Sequence, residues 1–252
     1  MPHFRDLLTP GSRVRYAWWR VSRSRQPVTV TLDTGASIIM RPGPERDYRV
    51  ASNIFLRALY RWPRGEPVSP MRHVVDVGAH VGYTIVDWAK RFPASRIEAF
   101  EPHPRHLSMI KQHLELNALQ ARVTLHESAA GCAPRDALLV DAGPCANAIA
   151  FDTTSSAHTQ PIHVSDFFAT VGGAPIDLLK LNAEGAEYSL LADPRFGDLD
   201  VRALVVEWHA RADRRDGGEW CRDRLARAGY RTSIVWRDAA NDAGLLWAFP
   251  PR

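Results

Sequence analysis

The sequence predicts an α/β fold: a largely parallel sheet with helices on both faces and an antiparallel pair of strands at one edge. Three observations carry that prediction. From residue 73 onward strands alternate with helices, a pattern that favours parallel strands joined by helical crossovers. The first strand, "HVVDVG", breaks into glycines and resumes as the helical "YTIVDWAKRF". The last two strands, "YRTSIVW" and "GLLWAF", have no helix between them, so they pair directly. A chain of 252 residues that is 45% hydrophobic has enough apolar side chain to bury such a core.

The elements follow in order. Residues 1–70 read as a basic arm and cap, and residues 71–252 as the main domain. In the arm, "SRVRYAWWRVSRSRQ" gathers Arg13, Arg15, Arg20, Arg23 and Arg25 around Trp18 and Trp19, with Asp6 the one acid before them. Two readings stand: peripheral contact with an anionic membrane, which suits arginine beside tryptophan, or a solvated helix whose tryptophans pack on the body. "PVTVTLDTGASIIMRPG" alternates around Asp33, Thr34 and Gly35 and predicts a hairpin. A helix is predicted over "YRVASNIFLRALYRW", and the Pro-rich "PRGEPVSPM" connects it to the main domain. There, "HVVDVG" leads to a helix ending near Phe92, "RIEAFE" to one over 104–117, and "RVTLHES" to a Gly, Pro and Ser-rich excursion through 131–161. "IDLLKLN", a helix near Ala186, "VRALVVEWH" and a helix over "EWCRDRLARAG" precede the final pair.

Open α/β sheets bind ligands beyond the carboxyl ends of their strands, so the first glycine turn is the expected site. It carries Asp76, Gly78 and Gly82, and Glu101 closes the second strand. A glycine turn with an acid about 20 residues later also describes dinucleotide binding. The G-x-G-x-x-G pattern is not met, because Ala79 and His80 follow Gly78. S-adenosyl-L-methionine, a cation without phosphates, fits the same turn: Asp76 complements its charge, the glycines admit its methionine part, and Glu101 can accept from both ribose hydroxyls.

The stretch "IDLLKLNAEGAEYSLL" sets Lys180, Asn182, Glu184 and Glu187 around Gly185, more polar chemistry than a strand-to-helix turn needs. With it, "VVDVGAHVGYT", "IEAFEPHPRHLSMIKQHLELN", "ESAAG" and "LVVEWH" occur in one order over residues 73–209. In these strings the chain resembles the FkbM family of S-adenosylmethionine-dependent methyltransferases. The resemblance implies a Rossmann-like class I methyltransferase sheet of seven strands and O-methylation of a small-molecule, sugar or natural-product hydroxyl. It implies a cofactor site of Asp76, Gly78, Ala79, His80, Gly82, Tyr83, Glu101, Pro102, Ser128 and Ala129, and catalytic residues Lys180, Asn182, Glu184 and His209. Many relatives carry aspartate where this chain has Asn182, so a divalent metal is not expected. His209, following the apolar "ALVVEW", suits a base near neutral pH. Lys180, on a strand of leucines, needs an acid such as Glu184 or Glu207, or the substrate, as its partner.

Other features predict less. His106 and His113 lie off the face defined by Leu107, Ile110 and Leu114 and read as solvated. Cys132, Cys145 and Cys221 are odd in number and widely spaced, which suggests neither disulfides nor a thiolate zinc site and places the chain in a reducing cytoplasm. No apolar run approaches the roughly 20 residues of a membrane span, and no secretory leader is read at the N-terminus. Net charge is +4 with a pI near 9.2, yet no recognition module for nucleic acid is found and none is expected as a partner. The alternatives to methyl transfer are a nicotinamide-dependent oxidoreductase and a basic membrane- or nucleic-acid-associated binding module.

Overall fold

The computed structural model describes residues 3–43, 47–66, 70–141, 147–150, 159–210 and 216–251. Cys145 and much of the predicted 131–161 excursion lie outside the described residues.

A short 3-10 turn, Phe4–Leu7, leads into helix α1 (Pro10–Ser22). Strands β1 (Val28–Thr31) and β2 (Ser37–Met40) form the predicted hairpin, with Thr31 opposite Ser37. Helix α2 (Asp47–Ala51) runs into a π turn, Ser52–Leu56. A single helix to Trp62 was the sequence expectation. Instead Ala58 takes φ +50°, which ends the helical path and turns Leu59 and Tyr60 toward the body.

Strand β3 (His73–Val77), helix α3 (Tyr83–Arg91), β4 (Arg96–Phe100), α4 (Pro104–Leu116) and β5 (Val123–His126) keep the expected alternation. The excursion region contains more structure than its composition suggests: β6 (Ala129–Gly131), β7 (Arg135–Asp141), β8 (Asn147–Ala150) and β9 (Thr159–Asp166) form a separate sheet in the order β6-β9-β7-β8. Helix α5 (Phe167–Val171), β10 (Leu178–Leu181), α6 (Ala186–Ala192), β11 (Leu204–Trp208), α7 (Gly217–Arg227), β12 (Arg231–Asp238) and β13 (Ala243–Phe249) complete the chain.

The main sheet has seven strands in the order β12-β13-β11-β10-β3-β4-β5. Six strands run in one direction, and β13 runs antiparallel to both its neighbours. Both faces are covered, so β3 is buried at every position, its valines packing on the two faces and its polar His73 and Asp76 held by internal hydrogen bonds. Val75, Val77, Leu179 and Val206 pack on one face with α5, α6 and α7, while Val74, Ile97 and Val205 pack on the other with α3 and α4. Because β3 has β4 on one side and β10 on the other, the chain reverses its winding between β3 and β10. That reversal opens a crevice at their carboxyl ends.

The N-terminal elements cap this crevice's α3 and α4 flank. Phe4, Leu8, Val30 and Ile38 share one buried cluster with Val81, Tyr83, Val86 and Met109. This corrects the reading of two histidines. His113 is fully buried, accepting from the Ile39 amide at 2.8 Å and donating to the Val81 carbonyl at 2.7 Å. His106 is buried too. Helical period identifies the face of α4 on the sheet but not the second flank that the cap covers.

Candidate active site

Two strand-to-helix turns converge at the switch point. After β3, Gly78, His80 and Gly82 take φ of +79°, +53° and +85°. After β10, Glu184 and Gly185 take +50° and +105°. A left-handed backbone at His80 and at Glu184 is uncommon for residues with a Cβ and concentrates at functional positions. The turns also touch: a Cβ added at Gly78 would stand 1.7 Å from the Asn182 carbonyl oxygen, so only glycine fits there.

Between them lies a cleft of about 380 Å³, within the size range of small-ligand sites. Ile54, Leu59, Val77, Phe100 and Leu139 give it apolar walls. Of the residues expected at the cofactor site, Gly78, Ala79, His80, Tyr83, Glu101, Pro102 and Ala129 line it, as do all four expected catalytic residues. Asp76, Gly82 and Ser128 do not line it. Asp76 is fully buried behind the turn, where it accepts from Lys180 and Thr84. Gly82 packs against Ile110 of α4, and Ser128 shares a hydrogen bond of 2.6 Å with Ser165.

Lys180 pairs with Asp76 at 2.7 Å, not with Glu184 or Glu207. The parallel register sets this, because Lys180 lies opposite Asp76. Its ammonium also donates to the Gly78 carbonyl at 2.9 Å, which ties β10 to the first turn. Tyr83 donates to the Ile39 carbonyl at 2.7 Å, so its hydroxyl is spent on the cap.

Three polar groups face the cleft. Glu101 accepts from the His80 amide at 2.8 Å, the His103 amide at 2.9 Å and His106 Nδ1 at 3.1 Å. Two carboxylate oxygens offer about four acceptor positions, so capacity for a ligand hydroxyl is left. Beside it, His80 is driven well below its ordinary pKa by burial and then by nearby positive groups. Its buried Nδ1 has no partner among the described residues. The second group joins Tyr60, Asn182 and Glu207: Tyr60 donates to Glu207 at 2.6 Å, and Asn182 Nδ2 donates to it at 2.9 Å. Burial, reinforced by the Glu207 charge, lifts the Tyr60 hydroxyl well above the usual phenol range.

The third group is Glu184, His209 and Glu187. Glu187, fully buried, accepts from the Gly185 amide at 2.8 Å and from the amide and Nδ1 of His209 at 3.1 and 3.2 Å. His209 Nε2 lies 3.8 Å from Glu184. Burial pulls the imidazole down, but the Glu187 hydrogen bond and the surrounding carboxylates outweigh it and raise the pKa to about 9. The raised value favours the protonated imidazole, whose two nitrogens face the Glu187 and Glu184 carboxylates. Glu184 is raised to about 7, chiefly by desolvation, with Glu187, Glu207 and Glu101 adding to the shift and His209 opposing it. No cluster of three or more His, Cys, Asp or Glu suited to a metal occurs among the described residues.

Sequence reasoning missed Tyr60 and assigned Thr84 no role. Tyr60 meets Glu207 across 147 positions of sequence, and nothing local to Tyr60 marks it.

The methyltransferase FkbM domain model matches residues 76–232, more than half of the chain. The chain belongs to the FkbM methyltransferase family. Among solved structures it is similar to a methyltransferase FkbM from Methylobacillus flagellatus, at 15% identity and a TM-score of 0.51, covering 81% of this chain and 50% of that one. This chain thus spans half the length of that relative. It is also similar to precorrin-6y C5,15-methyltransferase from Geobacter metallireducens, at 14% identity, TM-score 0.44, and 73% and 82% coverage. A human methyltransferase 10 domain containing protein gives 10% identity, TM-score 0.45 and 95% coverage of both chains. No curated protein matches the chain. The sheet is that of a Rossmann-like class I methyltransferase. Among the described residues no helix is long and apolar enough to cross a membrane.

Proposed function

We propose that this FkbM-family protein binds S-adenosyl-L-methionine in the switch-point cleft and methylates a hydroxyl of a small-molecule acceptor. The observation that carries the reading is Glu184, a carboxyl raised to about 7 on the wall of the cleft. A general base works best with a pKa near the operating pH. Family membership favours this reading over a nicotinamide-dependent oxidoreductase.

The residues fit the cofactor. Gly78 and Ala79 present backbone to the cleft, and Glu101 keeps acceptor capacity for a ligand hydroxyl. Asp76 is neutralised by Lys180, so the negative charge facing a cationic ligand comes from Glu101 and Glu207. When bound, the cofactor supplies an electrophilic methyl group. The chain's own work is to align a hydroxyl near it and take up the proton, for which Glu184 Oε2 is the acceptor. His209 positions Glu184, and Glu187 positions His209. Tyr60 and Asn182 hold Glu207 in place. The apolar walls exclude water from the reacting pair.

Calorimetry with S-adenosylhomocysteine tests the cofactor reading: binding is expected, with no heat from NAD. Glu101→Gln keeps the side chain's shape but loses a charged acceptor, and should weaken binding by about tenfold or more. Unchanged affinity would remove Glu101 from the site. Turnover of a hydroxyl acceptor panel with isotopically methyl-labelled cofactor, read by mass spectrometry, tests the transfer itself.

A second reading concerns the arm, and the exposed face of α1 favours it. Trp19 packs, donating to the Gln26 carbonyl at 2.8 Å. Val14, Trp18 and Val21 are 72%, 65% and 83% exposed on the face opposite buried Ser12 and Tyr16. Arginines flank that face, the arrangement of a helix lying on an anionic membrane. Trp18→Ser should lower retention on anionic vesicles and leave cofactor affinity unchanged. Equal retention would discard the contact.

A further inference from the structure

We propose that a second, arginine-lined groove beside the cleft binds a phosphate group carried by the methyl acceptor. This rests on the methyl-transfer reading of the cleft and names a substrate class for it.

The groove encloses about 710 Å³ between the end of α1, the chain after β2 and the start of α2. Arg20, Arg23, Arg25, Arg41 and Arg49 line it, against a single described acid, Asp47. That acid is spent. Its side chain is fully buried and its carboxylate takes three hydrogen bonds from Arg41, from the amide at 2.8 Å, Nε at 2.9 Å and Nη2 at 2.8 Å. It neutralises Arg41, and Arg20, Arg23, Arg25 and Arg49 leave the described lining of the groove positive. Arg20 lies 5.2 Å from the centroid of the Tyr48 ring, and Tyr48 stacks on Tyr16 of the buried cap. One guanidinium is thereby held over a fixed aromatic floor. Guanidinium groups gathered on a concave surface match the oxygens of a phosphate through paired N–H donors.

Position ties this groove to the chemistry. Arg49 lines both the groove and the cleft, and the residues that follow it, Val50, Asn53 and Ile54, line the cleft alone. The α2 and π-turn segment is thus the wall between the two spaces. A π turn widens the helix at this point, and such bulges recur at functional sites. A phosphate seated among Arg20, Arg23 and Arg25 would leave the rest of its molecule to pass Arg49 and present a hydroxyl in the cleft. Phosphate monoesters, diesters and pyrophosphates share the recognised chemistry, whether on a soluble metabolite or on a lipid headgroup.

The test uses the full chain. S-adenosylhomocysteine is titrated first, and inorganic pyrophosphate second, by calorimetry at low and moderate salt. Pyrophosphate should bind, weaken as salt screens the groove, and lose at least about tenfold in affinity in the Arg23→Ser/Arg25→Ser double variant. Both residues are exposed, and the variant should bind S-adenosylhomocysteine as the wild type does, which shows that it is folded. Arg49→Gln should weaken pyrophosphate as well. Pyrophosphate that releases the protein from phosphatidylglycerol vesicles identifies a lipid headgroup. Binding without such competition identifies a soluble phosphorylated acceptor. Absence of pyrophosphate binding, or equal affinity in the double variant, overturns the proposal. A chain that binds S-adenosylhomocysteine but not pyrophosphate keeps its cleft reading and loses the groove; the converse result keeps the groove and loses the methyl-transfer reading.

Discussion

Glu184 combines a left-handed backbone with a carboxyl raised to about 7, and both features are costs that a merely structural turn would shed. Glu184→Gln should lower kcat on the order of 100-fold while leaving S-adenosylhomocysteine affinity nearly unchanged, as read by steady-state kinetics and calorimetry. The pH profile carries the sign. If Glu184 must be ionised, the rate rises with pH through about 7, and that limb should vanish in the variant. His209→Gln removes the positive charge that opposes the shift, so the limb should move to higher pH. Stability runs the other way. A folded pKa above the unfolded value gives stability that is present below the unfolded pKa and lost as pH rises through the folded one. Wild type thus carries the cost of an ionised Glu184 at pH 8, and Glu184→Gln should raise Tm at pH 8 but not at pH 4. The His209 contribution has the same sign, present below about 6.5 and lost through about 9. Lys180 is different in kind, being nearly fully buried against Asp76. Asp76→Asn strands that ammonium and should cost about 3 to 5 kcal/mol in chemical denaturation; a loss under 1 kcal/mol would contradict the pairing.

Among the elements, the α2 and π-turn segment was the least legible, and it delivers Tyr60 to the site. Apolar spacing from Tyr48 to Trp62 suits one helix, and only the break at Ala58 frees Tyr60 to reach Glu207. That break answers to a partner 147 positions away, which no local window contains. Tyr60→Phe should leave Glu207 and Asn182 short of a partner, costing about 1 to 3 kcal/mol in stability, and should reduce kcat more than it alters cofactor affinity. An unchanged denaturation midpoint would mean that water replaces the hydroxyl at no cost. By contrast, the seven strands and the β3 turn were legible because their signals are local: apolar runs, alternation with helices, and glycines where the backbone must take positive φ. The β10 turn was legible for its density of polar residues, although the partner of Lys180 was not. Register decides that partner, and register is a property of the assembled sheet. His113 failed for a related reason, since the face of α4 that receives it is made by the cap.

At the scale of the whole molecule, a division near residue 70 separates cap from main domain in sequence, but the packing joins them. Phe4, Leu8 and Ile38 share a core with Val81, Tyr83 and Met109. Asn117 at the end of α4 accepts from the Ser37 amide at 2.9 Å and donates to its carbonyl at 2.7 Å. Tyr83 and His113 add two further bonds to Ile39. The proposed cofactor turn begins α3, so the helix that leads from it is also the cap's floor. Cap and sheet should therefore unfold together, since a cap that left first would expose this core and strand four hydrogen-bonding groups. Amide exchange measured by mass spectrometry should give β1 and β2 the same opening free energy as β3 and β4. Calorimetric and van't Hoff enthalpies should agree. Removing Phe4 by Phe4→Ala, at about 3 to 5 kcal/mol for a buried aromatic, should lower the single transition for both regions. If the variant instead frees β1 and β2 to exchange while β3 and β4 stay protected, the cap is an energetic unit of its own, and the boundary read from the Pro-rich connector is a real domain boundary.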